Sequence, residues 1–172
     1  SGSGEAEIES VELLSAEGTP CRAFLDGEEA RVQVVFCSHG EMPCPTVGFL
    51  LRDVKGNDVF GTNTFHLGLT APDLAAGEIR TCEFRVTMAL GAGRYTLTVA
   101  LHTGLDHVAC NYDWWDKVLA FEVFPGRRSF FAGVASLPVE GAFGPAAGAE
   151  GGGDLPSGPG RSVAGPVVGR DA

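Results

Sequence analysis

The chain has 172 residues, 44% of them hydrophobic, enough to bury one good core and hardly two. Its 22 acidic residues outnumber 12 basic ones, and the formal charge of −10 and pI near 4.7 exclude nucleic acid and anionic lipid surfaces as partners, since such affinity rests on Lys and Arg neutralising phosphates. No run approaches the roughly 20 apolar residues of a membrane span and no signal peptide is present, so the chain is expected to be soluble, without direct membrane insertion.

The opening Ser1-Gly2-Ser3-Gly4, without an initiating Met, reads as a linker or cleavage remnant, and the chain as an excised fragment. From Glu5 to Pro138, short runs alternate apolar with polar residues between turn signals, the period-2 signature of half-buried strands. Residues 6–14 form an edge strand. After the Asp26-Gly27 turn, 30–37 puts Ala30, Val32, Val34 and Phe36 on one face; 46–53 does the same with Val47, Phe49 and Leu51, ending at Asp53-Val54-Lys55-Gly56-Asn57. Phe60 to His66 follows, with Thr62 and Thr64 on one face and Asn63 and Phe65 on the other. Cys82, Phe84, Val86 and Met88 make a third inward row, Tyr95, Leu97, Val99 and Leu101 a fourth, and Leu119, Phe121 and Val123 a fifth. No segment of ten or more residues carries a 3.6-residue period, although Tyr112–Val118 admits a helical turn.

Between the third and fourth rows stands Leu90-Gly91-Ala92-Gly93-Arg94-Tyr95, the L-x-x-G-x-Y pattern of a tyrosine corner, in which a Tyr opening strand F bonds back to the E–F connection. Counting from it, 79–89 is strand E, 94–103 F, 118–124 G, 30–37 B and 46–53 C. The fold class expected is all-β, an immunoglobulin-like antiparallel β-sandwich over 5–138. Beyond Pro138, Gly alternates with Ala, Pro and Ser and aromatics nearly vanish; 139–172 reads as a disordered tail, too poor in burial to offset its ordering entropy.

Chemistry-bearing motifs are sparse. Five cysteines without CxxC spacing (Cys21, Cys37, Cys44, Cys82, Cys110) suggest neither a disulfide framework nor a zinc ribbon, and fit a reduced, cytosolic compartment; Cys37-Ser38-His39 with Cys44 lacks a complete metal-ligand set. His39, His66, His102 and His107 lie apart, and no nucleophile elbow, zinc-protease or phosphate-loop motif occurs. Asp113 and Asp116 are the nearest approach to a glycosidase pair, whose separation across a cleft sequence does not give. No catalytic residue, metal or cofactor is expected.

The one dense aromatic and polar cluster is Asn111-Tyr112-Asp113-Trp114-Trp115-Asp116-Lys117, holding both tryptophans. Sugars present apolar C–H faces ringed by hydroxyls, so their sites need aromatic platforms with Asp, Asn, Arg or His beside them. The competing reading puts Trp115 and Tyr112 in the core under the loop, with Asp113 capping a turn. Phe60-Gly61-Thr62-Asn63-Thr64-Phe65-His66 is a second cluster; its Asn63 and Thr64 either line a sheet face or end the strand through side-chain to backbone bonds.

Taken in order, Val47-Gly48-Phe49-Leu50-Leu51-Arg52-Asp53, Val59-Phe60-Gly61-Thr62-Asn63-Thr64, Leu74-Ala75-Ala76-Gly77-Glu78, the tyrosine-corner segment, Tyr112-Asp113-Trp114-Trp115-Asp116, Phe121-Glu122-Val123 and Phe131-Ala132-Gly133-Val134 resemble the C-terminal domain of Wzt, the ATP-binding subunit of exporters for lipid-linked O-antigen polysaccharide. The resemblance covers nearly all of 5–137; the tail is no part of it. It implies a non-catalytic module that binds the exported glycan, often at its modified non-reducing end, in the cytoplasm, peripheral to the inner membrane. It implies a homodimer whose C-terminal strands exchange, and a link to the transporter membrane subunit through a parent protein with a separate ATPase domain. Carried over residue by residue, the candidate carbohydrate-binding residues are Trp114, Tyr112, Asp113, Asn111, His102 and Arg94, with Asn63 and His66. The alternative is an immunoglobulin-like protein-interaction or dimerisation module, marked by an apolar surface patch rather than an aromatic and polar groove.

Overall fold

The computed structural model describes residues 5–103, 110–126 and 130–143; the linker expected at 1–4 and all of the expected tail beyond 143 lie outside them. The chain divides into two units, Ser1–Leu137 and Pro138–Ala172. Of the second, residues 138–143 are described; they form no helix or strand and are exposed.

The first unit is built from eight strands: β1 (Ala6–Ser15), β2 (Ala23–Leu25), β3 (Glu29–Ser38), β4 (Pro45–Asp53), β5 (Asp58–Asn63), β6 (Ile79–Thr87), β7 (Gly93–Thr103) and β8 (Cys110–Phe124). No helix occurs among the described residues. One sheet has the order β1-β3-β6 and the other β2-β8-β7-β4-β5. All pairings are antiparallel except β2 with β8, which is parallel. The protein is thus the all-β, two-sheet sandwich expected.

Alternation drives this arrangement. In β3, Ala30, Val32, Val34 and Phe36 are at most 1% exposed while Arg31, Gln33 and Val35 are only partly covered. Val47, Phe49 and Leu51 of β4 and Tyr95, Leu97, Val99 and Leu101 of β7 supply the facing wall. Phe49 and Phe84 meet edge to face at 5.0 Å between ring centres, tying the sheets together; Tyr95 stacks on Phe121 at 5.6 Å, and Phe121 meets Phe24 at 6.2 Å. β2 is only three residues long, too short for periodicity to reveal. It carries the chain from the first sheet to the edge of the second.

β8 starts eight residues before the strand expected at 118–124, and Tyr112–Val118 is strand throughout rather than a helical turn. The reason lies in its partner: β7 offers backbone groups along its whole length, and β8 pairs with it from Cys110 to Val123. Register shifts between Leu97 and Val99 and between Leu101 and His102 absorb extra residues of β8. Lys117, at φ 49°, sits in the left-handed region beside the first shift. These bulges break the alternation around the two tryptophans, which is why the segment does not read as a strand.

The Tyr95 hydroxyl donates to the Gly91 carbonyl at 2.7 Å, closing the tyrosine corner. Against that corner lies the segment after β8: Gly91 N–H donates to Val134 O (2.8 Å) and Ser136 N–H to Ala89 O (3.0 Å). A side chain at Gly91 would run into the Gly133 carbonyl, so the approach demands glycine. Burial, and secondarily the charge of Asp53, raises the Tyr95 phenol above its ordinary range. The neutral hydroxyl is therefore favoured in the folded state. Its contribution is complete below the unfolded tyrosine range near ~10 and is lost as pH rises through the higher folded value. Tyr95→Phe is expected to cost about 1–2 kcal/mol in urea unfolding at neutral pH, to leave the far-ultraviolet dichroism unchanged, and to flatten the alkaline fall in stability expected of the unsubstituted chain.

Candidate functional site

Since Val47, Phe49 and Leu51 point inward, Gly48, Leu50 and Arg52 point to the open face of the five-stranded sheet, as do Thr96, Thr98, Ala100 and His102 of β7. Register aligns a row across four strands: Trp114 on β8, Ala100 on β7, Gly48 on β4 and Asn63 on β5. The row spans roughly 14 Å, three strand spacings. Its two central members carry one methyl group between them, and Gly61 lies two residues from Asn63 along β5, opposite Leu50. The open face is therefore a trough of about 260 Å³, with Gly48, Gly61 and Ala100 in its floor. Trp114 lines it from β8, Asn63 and His66 from the β5 side; His102, Thr98, Thr62 and Asp58 complete the polar lining.

The floor is tight. A Cβ at Gly48 would stand 3.2 Å from Asn63 Cβ, and one at Gly61 3.1 Å from Leu50 Cδ1. Asn63 Oδ1 accepts the His66 N–H at 2.7 Å and Thr64 Oγ1 accepts the Val47 N–H at 3.3 Å, so both side chains end β5. That turn is what brings His66 to the trough.

Toward Asp58, a charged network bounds the site. Arg52 donates from Nε to Asp58 Oδ1 (2.7 Å) and from Nη1 to Asp116 Oδ1 (2.8 Å). Thr98 Oγ1 donates to the same Asp116 oxygen (2.9 Å) and accepts the Lys117 N–H (3.0 Å). The bond to Asp58, with the charges of both carboxylates behind it, raises the Arg52 guanidinium above its usual range. Asp58 and Asp116 are thus committed to one cation rather than facing each other as an acid/base pair. Among the described residues, no group of three or more His, Cys, Asp and Glu could hold a metal ion. Burial pushes the Cys82 thiol up to about 11, which makes it a poor nucleophile.

Of the residues singled out from sequence, Trp114, His102, Asn63 and His66 converge on the trough. Tyr112 does not: it is 6% exposed and belongs to the core. Asp113 organises its surroundings. Its Oδ2 accepts the Ile8 N–H (3.1 Å) and the Trp115 Nε1–H (2.9 Å), and its Oδ1 accepts the Trp114 N–H (2.8 Å). Burial works to raise this carboxyl, the Ile8 and Trp114 N–H groups work to lower it, and the net shift is downward. Arg94 lies on β7 roughly 13 Å before Thr98, with its Nε 3.8 Å from Glu122. Asn111 stands opposite His102 in the ladder, but its side chain lies outside the described residues. Sequence reasoning missed Gly48, Gly61, Ala100, Thr98 and Asp58. The available signal was a glycine inside each of two strands, where glycine weakens pairing and marks a close approach.

A family model described as the Wzt C-terminal domain matches residues 1–137. Among solved structures, one described as the crystal structure of the C-terminal domain of Wzt is 20% identical, with a TM-score of 0.74 over 83% of this chain and 86% of that one. A Niemann-Pick type C2 protein from Japanese carpenter ant is 10% identical over 72% of this chain and 98% of that one, with a TM-score of 0.47. A β-glucosidase from Listeria innocua in complex with gluconolactone is 17% identical over 71% and 16%, with a TM-score of 0.39. The last two likenesses are too slight to bear on fold or function. No curated protein matches the chain.

The two tryptophans are expected to separate in mutation. Trp115 packs against the core and bonds Asp113, so Trp115→Ala should cost about 2–4 kcal/mol in chemical unfolding. Trp114→Ala, removing a ring that lines an open trough, should stay within about 1 kcal/mol of the parent.

Proposed function

The chain belongs to the Wzt C-terminal domain family, and from that premise we propose that it is a non-catalytic carbohydrate-binding module that recognises a lipid-linked O-antigen polysaccharide for export by an ABC transporter. The observation that carries this reading is the row from Trp114 to Asn63 across a floor of glycine and alanine. A pyranose ring has an apolar C–H face and an equatorial girdle of hydroxyls. Trp114 offers the first a π-surface, while Asn63, His66 and Asp58 offer the second donors and acceptors. A floor without side chains lets the ring approach the sheet backbone.

At about 260 Å³ the trough falls near the lower limit of small-molecule sites, roughly 300–1,000 Å³. It holds one or two sugar units rather than a long run, which favours recognition of a chain end, the modified non-reducing terminus. Within the same reading the protein works as a homodimer in the cytoplasm, peripheral to the inner membrane, and reaches the transporter membrane subunit through its parent ATPase. The exposed Phe65, Leu67 and Leu69 after β5 favour a second role as a dimerisation or protein-interaction surface.

Isothermal titration against the polysaccharide of the source strain, with an unrelated polysaccharide as control, tests the proposal. Saturable heat is expected from the cognate glycan alone. Trp114→Ala should weaken Kd at least tenfold, about 1.4 kcal/mol, with the thermal midpoint nearly unchanged. Ala100→Leu, which fills the floor, should abolish binding. No heat from the folded protein at millimolar repeat units would assign the domain to protein interaction instead.

A further inference from the structure

We infer that the trough selects an uncharged sugar unit and rejects one carrying phosphate, sulfate or carboxylate, an inference that rests on the carbohydrate-binding reading above. No lysine or arginine is among the described residues that line it. The guanidinium bounding it, that of Arg52, is held between Asp58 and Asp116 at 2.7 and 2.8 Å. The three charges sum to −1. Exposure sharpens the point: the Arg52 side chain is 22% exposed, those of Asp58 and Asp116 65% and 48%, so solvent at this boundary meets carboxylate rather than guanidinium.

Asp58 itself lines the trough, together with Leu50 and Trp114. An anionic substituent entering there meets this carboxylate at short range, a repulsion that solvent and salt screen in part. A neutral sugar gains from the same group. Arg52 binds one oxygen of Asp58, fixing the carboxylate, and the second oxygen is left to accept a sugar hydroxyl in a charge-assisted bond. Asp58 thus becomes a specificity-determining residue that attracts polyols and repels anions, with Arg52 and Asp116 as its positioning partners.

Matched short oligosaccharides that differ only in a phosphate, sulfate or carboxylate on the terminal unit provide the probe, alongside source-strain polysaccharide separated by anion exchange. Binding is measured at about pH 8, above the ordinary imidazole range, for the parent chain, Asp58→Asn and Asp58→Asn/Asp116→Asn, with thermal midpoints recorded; should the double variant not fold, the exposed Asp58→Asn alone carries the comparison. The parent is expected to prefer neutral members by at least tenfold, with the preference shrinking as salt rises. Asp58→Asn should narrow that preference, and the double variant, which frees Arg52, should bind charged members at least tenfold better than the parent does. Parent binding that is equal or tighter for charged members, or a preference indifferent to both salt and Asp58→Asn, would overturn the inference while leaving carbohydrate recognition standing. Binding to no glycan at all would overturn both.

Discussion

Everything in this sandwich depends on the two-residue period of β4 and β7, whose inward residues are large and apolar and whose outward residues include Gly48 and Ala100. Val47, Phe49 and Leu51, with Leu97, Val99 and Leu101, fill the space between the sheets. The alternate positions, Gly48 and Ala100 above all, are then forced onto the open face. A slip of one residue would carry the apolar set into water and drop glycine into the core, so register is steeply specified. Core and trough are the two faces of one register.

What pins that register at one end is the corner before β7. Tyr95 reaches back to the Gly91 carbonyl, and the segment at Gly133–Ser136 closes over Gly91 through backbone bonds. At the other end, Asp113 takes the Ile8 N–H from β1, so a carboxylate on the second sheet bonds the backbone of the first. That bond also accounts for the fate of the aromatic cluster. With Asp113 drawn toward β1 and the Trp115 indole, Trp115 and Tyr112 pack against or within the core, and Trp114 is left on the open face.

The inward half of the fold was legible in the sequence because burial selects one residue class at every second position, and five such rows stand out between Ala30 and Val123. β2 was not, being too short for a period, and β8 was shortened because two bulges scramble its alternation near Trp114. The trough was half legible. Trp114, His102, Asn63 and His66 were marked by their chemistry, but Gly48, Gly61 and Ala100 contribute by having almost no side chain, and absence of bulk carries no chemical signature in one dimension. Arg94 and Tyr112 show the converse: suitable side chains, one displaced roughly 13 Å along its strand and the other turned inward.

If the trough binds a glycan as proposed, this division bears on how its ligand changes. Residues that hold the sheet together and residues that face the trough alternate on the same strands, so a substitution at Ala100 alters the open face while the inward neighbours Val99 and Leu101 keep the packing. The Arg52 network is the exception, because it links β4, β5 and β8 through Asp58 and Asp116 and also sets the sign of charge at the boundary of the trough. Removing one carboxylate changes the field there and loosens an inter-strand tie together. On the proposed carbohydrate-binding reading, charge selectivity is therefore coupled to the strand framework in a way that the shape of the floor is not, and it is expected to change less readily than the shape of the sugar accepted.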